Sequence, residues 1–241
     1  MTGPEILKAN DSLEHILLEA ARRIFQVLSQ KGSESPLVVG LCGGRSVVGL
    51  LKALRSEATT QPPELLARIH FFMVDERIVP LSSSESNFGG LYSGLFSHLV
   101  SEGFISAPQL HPFEASVENA AERCVDYMRE LERFGGGFSV VVLGMGEDGH
   151  VAGLFPGHAI LQRSGNSFEC FFDSPKPPAE RMTASRDLVI SSDLGIVLAL
   201  GEGKRAAWSA FQDTSISESQ CPAKMVLTMK SALVVTDLSG N

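Results

Sequence analysis

Five short apolar runs, spaced by stretches of helical length, limit the fold of this chain more than any other feature of its sequence. They are Pro36 to Cys42, Ile69 to Val74, Phe138 to Leu143, Ile196 to Leu200 and Ala232 to Thr236. Each run is continuous rather than alternating, as expected of strands covered on both faces. Between the runs, apolar positions fall at helical spacing. The first helix is predicted from a cap at Asp11 or Ser12 through Leu13, Ile16, Leu17, Ala20, Ile24, Val27 and Leu28. Further helices are predicted over Val47 to Leu54, Asn87 to Val100, Val117 to Phe134 and Lys204 to Phe211. Strand–helix–strand repetition implies right-handed crossovers. The expected architecture is therefore a doubly wound, mostly parallel α/β sheet with helices on both faces, Rossmann-like, as a single domain over residues 1–241. The stretch Arg163 to Glu180, with Ser174–Pro175 and Pro177–Pro178, is the least regular and reads as a surface excursion.

The formal net charge of −8 repels nucleic-acid phosphate and argues against a nucleic-acid partner. A bound anion must then be held by a local basic cluster, for which Arg45, Arg77, Arg181, Lys204 and Arg205 are the candidates. No apolar run approaches the roughly 18 residues needed to cross a bilayer, so no membrane role is expected. The polar stretch Met1 to His15 does not read as a secretory signal. Cys42, Cys124, Cys170 and Cys221 are scattered, with no CxxC pair, and fit neither a zinc site nor a small disulfide framework. A reduced, cytoplasmic protein is expected, as a monomer or small homo-oligomer.

Ligands of such sheets bind beyond the carboxyl ends of the strands. The segment after the third run, Gly144-Met145-Gly146-Glu147-Asp148-Gly149-His150, formally matches GxGxxG. A dinucleotide fingerprint must open into a long helix. Gly153, Pro156 and Gly157 argue against one here. Asp148 and His150 carry the chemistry better. Two residues apart in an extended loop, they point to the same side. An imidazole titrating near neutrality suits a general base for water, and a carboxylate beside it orients the ring.

This segment, continued by Val151-Ala152-Gly153-Leu154-Phe155-Pro156-Gly157, resembles the signature of the 6-phosphogluconolactonase family, in which GxGxDGH is followed by Ser-Leu-Phe-Pro. Gly153 stands where serine is usual. The Leu-Phe-Pro continuation is closer to the lactonases than to the related glucosamine-6-phosphate deaminases. Asp75-Glu76-Arg77 with Ser86-Asn87 resembles the family's second signature. Arg77 offers a planar fork for phosphate or carboxylate, which the flanking acids would hold in place, and Asp75 suits sugar hydroxyls. Gly43-Gly44-Arg45-Ser46 opens a helix, where backbone N–H groups cradle phosphate, although Arg45-Ser46-Val47 departs from the family's small hydroxyl residues and proline. Arg181-Met182-Thr183 and Gly201-Glu202-Gly203-Lys204 resemble its Arg-x-Thr and Gly-x-x-Lys.

The resemblance implies hydrolysis of a phosphorylated sugar lactone without metal or other cofactor. His150, Asp148 and Arg77 form the implied catalytic set. Gly43, Gly44, Arg45, Asp75, Asn87, Arg181 and Lys204 are implied to bind substrate. A sugar-phosphate isomerase or deaminase on the same scaffold is the rival enzyme reading, and a non-catalytic sugar-phosphate sensor is the rival from another class. The chain has no HExxH, no G-x-S-x-G and no Walker A motif.

Overall fold

The computed structural model describes residues 3–9, 12–32 and 34–238. Its strands are β1 (Glu5–Lys8), β2 (Leu37–Leu41), β3 (Ile69–Met73), β4 (Asp75–Arg77), β5 (Leu110–His111), β6 (Val140–Gly144), β7 (Phe168–Phe171), β8 (Arg181–Ala184), β9 (Leu194–Ala199) and β10 (Ala232–Thr236). The helices are α1 (Leu13–Ser29), α2 (Arg45–Ala58), α3 (Pro63–Leu66), α4 (Asn87–Leu91), α5 (Ser97–Ser101), α6 (Ala120–Glu132), α7 (Arg186–Ile190) and α8 (Arg205–Gln212). A π-helical turn, Tyr92–Phe96, joins α4 to α5. Ser12 caps α1 by accepting from His15 N at 3.3 Å, whereas Asp11 lies outside the described residues.

The main sheet has seven strands, in the order β1-β10-β9-β6-β2-β3-β5. Every pairing in it is parallel. Each residue of β2 and of β9 is buried, so both faces are covered, as their continuous apolar runs predict. From β2 the chain moves outward through β3 and β5, then returns to the other side of β2 to lay down β6, β9 and β10. The reversal opens a crevice between the carboxyl ends of β2 and β6, the place where open α/β sheets bind ligands.

A second sheet of three antiparallel strands, β4-β8-β7, lies outside the predicted plan. It includes Phe168–Phe171, so the stretch read as a surface excursion is partly strand: its Phe168 and Phe171 are buried. Cys124 on α6 and Cys170 on β7 form a disulfide, which corrects the expectation of a fully reduced cysteine set. The two are 46 residues apart in sequence, and tertiary packing rather than a spacing motif brings them together. Cys42 and Cys221 are free and buried. Among the described residues no helix is long and apolar enough to cross a membrane.

At the β5 edge, His70 Nδ1 lies 3.0 Å from His111 Nε2, and His111 Nδ1 lies 2.5 Å from Glu130 Oε1. Burial, then the neighbouring His111, lowers the His70 pKa from 6.5 to about 4. Folding therefore disfavours the His70 imidazolium. This contribution to stability is present above pH 6.5 and is lost as pH falls toward 4. The unscreened limit is about 1.4 kcal/mol per pH unit, but solvent screening of a half-buried ring leaves ~1 kcal/mol. Urea unfolding at pH 7 and pH 4.5 should show a loss smaller by that amount in His70→Gln than in the unsubstituted protein. Equal losses in the two proteins would remove His70 from the acid response.

Candidate active site

A cavity of about 810 Å³ occupies the crevice at the strand ends. Its first wall is the turn after β6. Met145 N donates to Leu198 O at 3.0 Å, which anchors the turn to β9. Gly146 N then donates to His150 O at 2.8 Å, and Gly149 N to Gly146 O at 3.1 Å. The segment is thus a closed turn, not the extended loop expected from sequence. Closure, rather than alternation of an extended chain, brings Asp148 against His150: Asp148 Oδ1 meets His150 Nδ1 and also accepts from His150 N at 3.3 Å. Gly149 has φ +82°, a conformation glycine adopts without strain. Its carbonyl accepts from Ala223 N at 2.9 Å, so the segment after Cys221 supports the turn from behind.

Gly146 is fixed by contact instead. A Cβ there would lie 2.0 Å from His150 Nδ1 and 2.7 Å from Asp148 Oδ1. The imidazole is 19% exposed and packs on Phe155, ring centroids 4.6 Å apart. Burial would raise the Asp148 carboxyl, but hydrogen bonds and charge from His150 and Lys176 hold it well below the usual carboxylate range. An ionised Asp148 accepts a hydrogen bond from Nδ1–H and leaves Nε2 as the acceptor nitrogen. No long helix follows the glycines: Val151 bridges Leu154, and the next helical turn is Ala159–Gln162. Gly153 packs on β8, where a Cβ would lie 2.8 Å from Thr183 Cβ, and its N–H donates to Thr183 Oγ1 at 3.1 Å.

The second wall is β4. Side chains of a strand alternate, so Asp75 and Arg77 share the face that lines the cavity while Glu76 points away. Glu76 is 1% exposed and accepts from Arg77 N, Asn87 N and Phe88 N, each at 2.7 Å, and from Ser86 Oγ at 3.1 Å. Burial raises its pKa against the lowering effect of those N–H groups. The expectation that flanking acids hold the Arg77 guanidinium is therefore corrected for Glu76, which pins the start of α4. Arg77 Nη1 instead donates to Glu85 O at 2.7 Å, and its buried Nε has no hydrogen-bond partner. Asn87 Nδ2 donates to Asp75 O at 2.9 Å and to Asp75 Oδ2 at 3.0 Å. Asp75 Oδ1 is buried without a hydrogen-bond partner. Burial, then the Asp75 carboxylate, raises the Cys42 thiol, so this cavity cysteine is a neutral thiol and a poor nucleophile.

Arg77 and Arg181 are register partners on β4 and β8. Like charges placed opposite each other repel, and both residues line the cavity, so the pair favours an anion there. Burial lowers the Arg181 pKa, and Arg77 lowers it further. Arg181 is held by backbone carbonyls. Its guanidinium donates to Pro178 O at 3.1 Å, Pro177 O at 3.1 Å and Lys176 O at 3.2 Å.

The third wall comes from Gly43 and Gly44 after β2. A Cβ on Gly43 would meet Asn87 Oδ1 at 2.0 Å. Gly44 is the N-cap of α2, where Val47 N donates to Gly44 O at 3.1 Å and the first N–H groups of the helix have no earlier turn to donate to. The side chain of Arg45 lies outside the described residues. The fourth wall follows β9, where Gly201 N donates to Asp237 Oδ1 at 2.8 Å and Lys204 stands just before α8. Of the residues singled out from sequence, Gly43, Gly44, Asp75, Arg77, Asn87, His150, Arg181 and Lys204 line the cavity. Asp148 sits behind the imidazole. Sequence reasoning missed Glu147, Asp237 and Lys176. For Lys176 the available signal was a lysine between prolines just before the Arg-x-Thr match.

Comparisons with known proteins find relatives over most of the chain. A family model described as glucosamine-6-phosphate isomerases/6-phosphogluconolactonase matches residues 11–235. The 6-phosphogluconolactonase of Borreliella burgdorferi is 32% identical over 200 residues, 83% of each chain. That of Rattus norvegicus is 35% identical over 210 residues, 84% of this chain and 78% of the relative. The crystal structure of 6-phosphogluconolactonase from Thermotoga maritima is similar with a TM-score of 0.77 at 26% identity, covering 98% of this chain and 99% of that one. With a family model matching residues 11–235 of the 241, the chain belongs to the glucosamine-6-phosphate isomerase/6-phosphogluconolactonase family.

Proposed function

We propose that this protein hydrolyses 6-phospho-D-glucono-1,5-lactone to 6-phospho-D-gluconate, a step of the oxidative pentose phosphate pathway, with His150 activating water. The reading rests on one observation above the others: an imidazole oriented by an ionised carboxylate shares a cavity with two guanidinium groups in register. The guanidiniums, Lys204 and the start of α2 hold the phosphate. Asp75 Oδ1, buried without a partner, accepts from a sugar hydroxyl. His150 Nε2 takes a proton from water as its oxygen attacks the lactone carbonyl. The ring C–O bond then breaks, and the imidazolium returns the proton to the departing ring oxygen. Backbone N–H groups of the strand-end turns meet the developing oxyanion.

The test compares acid release from the lactone in a pH-stat, corrected for spontaneous opening, with ammonia release from glucosamine 6-phosphate. Lactone-dependent acid release is expected, and exclusive ammonia release would overturn the reading. Arg77→Ala or Lys204→Ala removes a charge-assisted phosphate contact and should raise KM by about 10- to 100-fold with kcat little changed. A fall in kcat alone would assign that residue to the transition state instead.

A further inference from the structure

Lys176 belongs to none of the segments from which the reaction was read, yet it reaches the base. Its ammonium lies 3.0 Å from Asp148 Oδ2 and 3.5 Å from His150 Nδ1. The backbone around it is built to hold that position. Ser174 Oγ donates to Lys176 O at 2.9 Å and accepts from Lys176 N at 3.3 Å, and Ser174 N donates to Ala179 O at 3.1 Å. Arg181 binds the carbonyls of Lys176, Pro177 and Pro178. The buried guanidinium thus directs its Nε and Nη2 to the short segment that presents Lys176.

We propose that Lys176 is a positioning residue for the general base: it grips the outer oxygen of Asp148, which leaves the inner oxygen on His150, and its charge keeps the imidazole neutral and able to accept a proton. The inference rests on the assignment of His150 as base and extends it. With Asp148 alone at Nδ1, a full negative charge favours imidazolium, which cannot take a proton from water. An ammonium at the same carboxylate offsets that charge, and the free-base form then persists to lower pH. Among the described residues, six other charged groups line the cavity around the pair: Glu147 on the same turn, Arg181 beneath Phe155, and Asp75, Arg77, Lys204 and Asp237 on the remaining walls. A substitution at Lys176 leaves all six in place.

The experiment is the pH profile of kcat/KM for lactone hydrolysis in the unsubstituted protein, Lys176→Met and Lys176→Arg, with Lys176→Gln replacing Lys176→Met should the latter not fold. A charge at 3.5 Å in a solvent-accessible cavity moves a titration by about 0.5–1 pH unit. Loss of the ammonium should raise the acidic limb by that amount and lower kcat/KM by about three- to tenfold on that limb, with KM within twofold. Lys176→Arg should restore most of both. An unmoved limb, or a rise in KM alone, overturns the proposal, the latter by making Lys176 a substrate ligand. His150 is also titrated by NMR with ring-labelled histidine, which needs no turnover. If the unsubstituted protein does not open the lactone, the function assigned above fails, while the NMR shift between the unsubstituted protein and Lys176→Met still decides this one.

Discussion

Replacement of His150 by alanine should lower kcat for lactone hydrolysis at least about a hundredfold, the lower end of what a positioned general base contributes. The expectation follows from the tautomer. Asp148 occupies Nδ1, so Nε2 is the nitrogen left to take a proton from water. Alanine at 150 removes that nitrogen and leaves the guanidiniums at β4 and β8 in register. Affinity for 6-phosphogluconate, measured by titration calorimetry, should therefore stay within about threefold, because the phosphate contacts survive. A variant with unchanged kcat would take His150 out of the reaction. A variant that loses product affinity together with kcat would show that the ring's role is mainly to bind.

The second large effect is expected at a residue with no functional group. Gly146→Ala places a methyl 2.0 Å from His150 Nδ1, 2.2 Å from His150 Cε1 and 2.7 Å from Asp148 Oδ1. No side chain fits at those distances, so the imidazole must swing away or the turn must open. Misplacing a reacting group by about 1 Å costs on the order of a hundredfold, and kcat should fall by that amount. Gly144→Ala, two residues earlier, is the control. Its Cβ would meet nothing nearer than Gly43 O at 3.7 Å, and activity should be retained. Equal kcat in the two variants would mean that the turn adjusts freely and that the ring position matters little.

The five interior strands of the main sheet were legible because each carries a short, mostly apolar run. The edge strands were not. β1 reads Glu-Ile-Leu-Lys and is largely exposed, and β5 has two residues, so neither leaves a pattern to read. β4 was recognised as a motif but not as a strand, because Asp-Glu-Arg has no hydrophobic period. Its alternation nevertheless explains why Asp75 and Arg77 face the cavity and Glu76 the start of α4. The glycine turns were legible as ligand loops because they follow apolar runs. Lys176 was not, since its approach to Asp148 depends on a hairpin of the second sheet and on carbonyl contacts to Arg181. The Cys124–Cys170 link is of the same kind, a product of packing across 46 residues of sequence.

The cavity is a seam: His150 follows a strand of the parallel sheet, and Arg77 and Arg181 stand on the antiparallel one. The span between them is set by how the two sheets meet, chiefly where Ala184 N donates to Val74 O at 2.7 Å. Core substitutions along that junction, remote from His150, should therefore change the span and with it the length of phosphorylated sugar that is turned over.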